Sequence, residues 1–191
     1  MLLKYSDWGY STIPSNYNCQ VTILSASPGR GIQVRFRTLE TTISVGCSQV
    51  RLTVGDRTRP LTPTNGVCGF ISPPTARTTD DRVYVTLTTD NTFLHSGYFE
   101  LLLTEFNYLV NGNCTGNDFK CNNNICISAN LKCNGYNDCD DDSDEIEGCG
   151  LTTLTAGVIV GIALAIIVFL IVVSVLGVFY RRRRRYITIV G

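Results

Sequence analysis

The 191-residue chain balances 16 Lys+Arg against 16 Asp+Glu, enough length for one ordinary domain plus a small module. The zero net charge is a sum of unlike parts: residues 1–107 carry nine basic and eight acidic side chains, residues 114–149 two and eight, and the tail five arginines. All nine cysteines precede an uncharged run at 151–180 and none forms a CxxC pair, which argues against zinc-ribbon and thioredoxin-like sites and for disulfides in an oxidising compartment.

The first 107 residues alternate as half-buried strands do. Ile32, Val34 and Phe36 share one face and Gln33, Arg35 and Arg37 the other; Val83, Val85, Leu87 and Phe99, Leu101, Leu103 repeat the pattern. Ser-Pro, Gly-Asp, Asn-Gly and Pro-Pro pairs punctuate the runs, so an all-β antiparallel sandwich is predicted. Tyr10 and Tyr17 lead into Cys19, a Ser27–Gly29 turn precedes IQVRF, and Cys68 is followed by Gly69. With the closing TTDNTFLHSGYFELLL, these features resemble the CUB domain over about residues 5 to 107.

That resemblance implies a bridge from Cys47 to Cys68. It also places the partner of Cys19 upstream of Met1, so either the chain starts inside a longer domain or Cys19 is a free thiol. MLLKYSDWGY lacks the apolar stretch of a signal peptide, which favours the first expectation. Many CUB domains hold calcium through one Glu and two Asp; Glu40 and Asp90 match two of these positions and Val50 replaces the third, leaving a weak site.

Residues 108–113 read as a linker, and Asn113-Cys114-Thr115 fits the glycosylation sequon with cysteine in the middle. Six cysteines follow between 114 and 149. Spacing alone leaves 15 pairings open. Asp138, Asp140, Asp141, Asp142, Asp144, Glu145 and Glu147 crowd together, a repulsion that opposes compaction unless a cation joins them. Hard carboxylate oxygens suit calcium, but an EF-hand register puts Ser143 where glycine is needed and Cys149 where the bidentate Glu belongs.

FKC, then CI, then DC-x-x-x-SDE closing on a last cysteine is similar to the low-density lipoprotein receptor class A repeat. The resemblance implies bridges Cys114–Cys126, Cys121–Cys139 and Cys133–Cys149, with Phe119 and Ile127 as a minimal core. It also implies a Ca2+ cage of Asp138, Asp144, Glu145 and Asn134 side chains with the backbone carbonyls of Leu131 and Tyr136. Asn134 stands where Asp is usual and weakens the metal. Leu131 stands where ligand-binding repeats carry an aromatic ring, and forfeits a cation–π contribution of about 0.5–2 kcal/mol to capture of a partner lysine. Recognition is thereby shifted toward the sandwich, with the module as a spacer.

Residues 154–180 are long enough to span a bilayer as one transmembrane helix, and Arg181 to Arg185 place the tail 181–191 in the cytosol by the positive-inside rule. Gly157, Gly161 and Ala165 form a small-xxx-small stripe suited to a homodimer. Tyr186 and Ile189 resemble a Tyr-x-x-aliphatic sorting signal. The arginine block abuts the span and lacks interleaved aromatics, so nucleic acid is not expected. The lone His95 has no nucleophile constellation around it, so no enzyme is expected. The module order resembles the neuropilin and tolloid-like proteins and the low-density lipoprotein receptor-related proteins. It implies a single-pass plasma-membrane glycoprotein, N-terminus outside, acting as a receptor or co-receptor for extracellular protein. An auxiliary or adhesion subunit acting by lateral association, or a fragment of a larger receptor or membrane-protease ectodomain, are the alternatives.

Overall fold

The structure, a computed structural model, describes residues 1–6, 11–92, 94–149 and 160–178. In chain order its strands are β1 (Leu2–Lys4), β2 (Ser11–Ile13), β3 (Asn18–Leu24), β4 (Gly31–Thr41), β5 (Val50–Gly55), β6 (Ala76–Arg77), β7 (Arg82–Thr89), β8 (His95–Tyr108), β9 (Asp118–Lys120) and β10 (Ile125–Ser128). They form two sheets. One is three-stranded, β3-β7-β5, and the other seven-stranded, β6-β4-β8-β10-β9, with β1 and β2 also on β8.

The alternation read from the sequence is what packs the sheets together. Ile32, Val34 and Phe36 of β4 and Phe99, Leu101 and Leu103 of β8 face Val50, Leu52 and Val54 of β5 and Val83, Val85 and Leu87 of β7 in one cluster. A β-bulge between Phe36 and Thr38 shifts the β4–β8 register by one residue. Without that extra residue the alternation would turn Leu39 outward; with it Leu39 joins the core at 2% exposure.

Along its other edge β8 meets three partners in turn. Leu3 pairs with Leu101, Thr12 with Ser96, and, farther along, Ile127 with Phe106 and Ile125 with Tyr108. The last pairing carries the seven-stranded sheet into the six-cysteine module. Residues 108–113 between them make a tight turn, in which the Val110 and Asn113 backbones bond each other at 2.9 and 3.1 Å.

The module builds a small second core of Cys121, Ile125, Ile127 and Cys139 with Phe119 and Leu131 at its margin, and Phe106 of β8 belongs to it. Cys47 is bridged to Cys68, Cys114 to Cys126 and Cys121 to Cys139, while Cys133 and Cys149 are each disulfide-bonded as well. Helix α1 (Ser143–Ile146) closes the module. Apart from these, α2 covers Val160–Val178 within the expected span and is long and apolar enough to cross a membrane.

Candidate functional site

The acidic loop between Cys133 and α1 folds on its own hydrogen bonds. Asp140 and Asp142 take φ of 76° and 59°, a left-handed conformation that Asp tolerates better than most residues. Asn134 makes an Asx turn, its Oδ1 accepting from Tyr136 N–H at 2.7 Å, while its Nδ2 donates to Asp138 Oδ2 at 2.9 Å. Glu145 accepts from the backbone N–H groups of Asn134 and Gly135, both at 2.9 Å. Asp144 Oδ2 accepts from Asp138 N–H at 2.7 Å, and the Tyr136 carbonyl accepts from the same group at 2.9 Å.

Four of the six residues assigned to the cage, Asn134, Asp138, Asp144 and Glu145, are thus joined in one network, and Tyr136 turns its carbonyl toward it. Leu131 lies in the 3-10 turn Ala129–Leu131 and packs its side chain at the margin of the second core. Among the described residues no three His, Cys, Asp or Glu side chains form a metal-holding group. The donor chemistry nonetheless fits a hard cation. Asp138 and Asp144 are 1% and 0% exposed, and burial, opposed by backbone hydrogen bonds and reinforced by the Asp138 charge, pushes the Asp144 carboxyl up. Two neighbouring buried carboxylates are the arrangement that a divalent ion relieves.

The loop rests on the outer face of the seven-stranded sheet. Gln33 Nε2 donates to the Asp138 carbonyl at 2.7 Å and the Thr104 hydroxyl to its carboxylate. Arg35 donates to the Asn137 carbonyl at 3.1 Å and stands 3.7 Å from Asp140 Oδ1. The Arg37 guanidinium lies 4.9 Å from the centre of the Tyr136 ring, held from behind by Glu100. Burial works to raise the Glu100 pKa, but the Tyr98 hydroxyl, Arg37 and Lys4 outweigh it and hold the carboxyl low. A second anchor joins Arg30, before β4, to Asp118 of β9, Nη2 to Oδ2, at 2.8 Å.

The family models divide the chain at this same seam. The model described as CUB domain matches residues 5–100 and that described as low-density lipoprotein receptor domain class A matches 112–149. The chain belongs to the CUB family. Membrane frizzled-related protein of Homo sapiens is 26% identical over 147 residues, 72% of this chain and 24% of that protein. Neuropilin and tolloid-like protein 1 of Mus musculus is 32% identical over 97 residues, 47% of this chain and 18% of its own. Atrial natriuretic peptide-converting enzyme of Rattus norvegicus is 63% identical over 30 residues, 16% and 3% respectively. The chain therefore spans about a quarter or less of the length of these relatives.

At the opposite end of the CUB domain, Glu40 is exposed, while Asp90 Oδ1 is engaged by His95 Nε2 at 2.9 Å and by the backbone N–H and hydroxyl of Thr92 at 2.9 and 2.6 Å. Thr92, then burial in opposition, then His95 account for the lowered Asp90 pKa. Val50 is fully buried in the core. His95, 1% exposed, thus serves as the partner of Asp90. Cys19 carries a free thiol and lines a groove of about 190 Å³ with Tyr5, Tyr17 and Phe99. Asn113 is exposed, directly before the bridged Cys114. Gly161 and Ala165 lie on α2; Tyr10, Gly157, Arg181 to Arg185, Tyr186 and Ile189 lie outside the described residues.

Sequence reasoning did not find the CUB side of this seam. Gln33 is assigned by alternation to the solvent face, yet it is 1% exposed because the class A module covers it. One signal was present: LLLTEF at Leu101–Phe106 is more continuously apolar than a one-sided strand needs, and Leu101, Leu102, Leu103, Thr104 and Phe106 are all buried.

Proposed function

We propose that the chain is a non-enzymatic, single-pass cell-surface receptor or co-receptor that recognises extracellular protein. The reading is carried by one observation: a CUB domain and a class A module are joined in one sheet, and a helix fit to cross a membrane follows them in the chain. Disulfides in both modules require an oxidising compartment, and the arginines after the helix orient the tail to the cytosol. Tags placed at either end of the full chain in cultured cells test it. An antibody should reach the N-terminal tag on intact cells and the C-terminal tag only after permeabilisation; the reverse pattern overturns the reading.

Calcium is assigned to the class A loop, where Asp138, Asp144, Glu145 and Asn134 with the carbonyls of Leu131 and Tyr136 would hold it. When bound, the ion supplies the positive charge that lets the buried carboxylates stay ionised together. In the CUB domain Glu40 and Asp90 would make only a weak second site, since Val50 is core and Asp90 also accepts from His95 and Thr92. Lateral association through Gly161 and Ala165 is a second use of the membrane segment. The small-xxx-small spacing favours it, and Gly161→Ile should abolish self-association in a membrane reporter assay.

A further inference from the structure

We infer that the acidic loop of the class A module is bound in cis by the arginine face of the CUB sheet, which occupies the surface a basic partner would take. Charge complementarity carries this beyond ordinary domain packing. The module holds eight acidic and two basic residues, and its own bases turn elsewhere. Lys132 lies 4.8 Å from the Phe119 ring centre and Lys120 donates to the Gly112 carbonyl at 2.9 Å.

The compensating cations come from the CUB domain: Arg30, just before β4, and Arg35, on it, are the two that pair with carboxylates of the module. Arg30 pairs with Asp118, Arg35 reaches Asn137 and Asp140, Arg37 covers Tyr136 and Arg77 stands over Phe106 at 5.7 Å. Arg35 and Arg37 are the pair that meets the loop itself. Each is only partly exposed, at 34% and 40% of its side chain, and Glu100 fixes the second from behind. Asp140 and Tyr136 each keep an exposed side, so a cation arriving from outside competes with Arg35 for the Asp140 carboxylate and with Arg37 for the Tyr136 ring. The Asp140–Tyr136 side of the loop is therefore already engaged in the resting molecule, whatever its orientation in the membrane, while Asp142 and Glu147 stay exposed.

The test uses the full chain in detergent micelles with a labelled hexalysine peptide as probe, binding being read by fluorescence anisotropy. Arg35→Gln/Arg37→Gln should bind hexalysine about five- to tenfold more tightly than the unaltered chain, the range expected from freeing two partly exposed ion contacts. Adding Asp140→Asn should remove most of that gain. Losing two positive charges anywhere would help a cationic probe a little, so Arg51→Gln/Arg82→Gln on β5 and β7 of the second sheet is the charge-matched control. Near-UV circular dichroism identifies any variant that fails to fold, in which case the charge-keeping Arg35→Lys/Arg37→Lys, expected to show a smaller gain, takes its place. A folded Arg35/Arg37 variant that binds no better than the control overturns the inference. The membrane-orientation assay plays no part in this comparison, so the two readings fail separately.

Discussion

Asp56 shows what one buried carboxylate does for this sandwich. Its Oδ1 accepts from the Thr58 and Arg59 N–H groups at 2.7 and 2.8 Å and from the Thr58 hydroxyl at 2.7 Å, and its Oδ2 from the N–H and hydroxyl of Thr79, both at 2.9 Å. Burial pushes the group up, but the Thr79, Thr58 and Arg59 donors outweigh it and hold the pKa well below the usual carboxylate range. A folded-state pKa below the unfolded one contributes stability that is present above the unfolded value of about 3.9 and lost as pH falls toward the folded one. Asp56→Asn should therefore cost about 2 kcal/mol at neutral pH, with the gap to the unaltered chain narrowing in acid-titrated thermal melts. Gly31 is constrained by space. A Cβ there would sit 2.8 and 2.9 Å from Phe106 Cε1 and Cζ, and the ring, enclosed at 1% exposure, has little room to give. Gly31→Ala should lower stability by about 1–3 kcal/mol in denaturant titration.

Among the elements, β8 decides how the modules relate. Its inner residues complete the sandwich core and its Phe106 the core of the class A module. Phe106→Ala should cost about 3–5 kcal/mol, and hydrogen exchange should quicken at Cys121–Ile127 of the module and not within the sandwich alone. Much of this fold was legible in the sequence. Period-2 runs at 32–36, 83–87 and 99–103 were strands because their apolar side chains had one face to bury, and the six cysteines with their acidic run marked a second module. The seam was not legible, because alternation reports only that a side chain leaves the sandwich core. It says nothing of what meets it: Gln33 and Asp138 lie 105 positions apart, and Arg35 and Asn137 102. The inward turn of Leu39 was hidden as well, since the bulge at Phe36–Thr38 has no glycine or proline to announce it.

For the whole molecule, one sheet running through two modules predicts one cooperative transition. Removing calcium with a chelator should lower the unfolding temperature of the CUB domain and class A module together, with no separate early melt of the module, in calorimetry of the full chain. Asn134→Asp should strengthen calcium binding, by roughly tenfold in isothermal titration, because a carboxylate replaces an amide whose Nδ2 is directed at Asp138. Mechanically, β8 behaves as a tendon. Its 14 residues extend over roughly 45 Å and are bonded along both edges, so tension on the sandwich reaches the class A module without first drawing out slack. The turn at 108–113 can lengthen only after the Phe106–Ile127 and Tyr108–Ile125 pairs have sheared, so a pull between the sandwich and the class A module is met by bonded strands and not by a hinge.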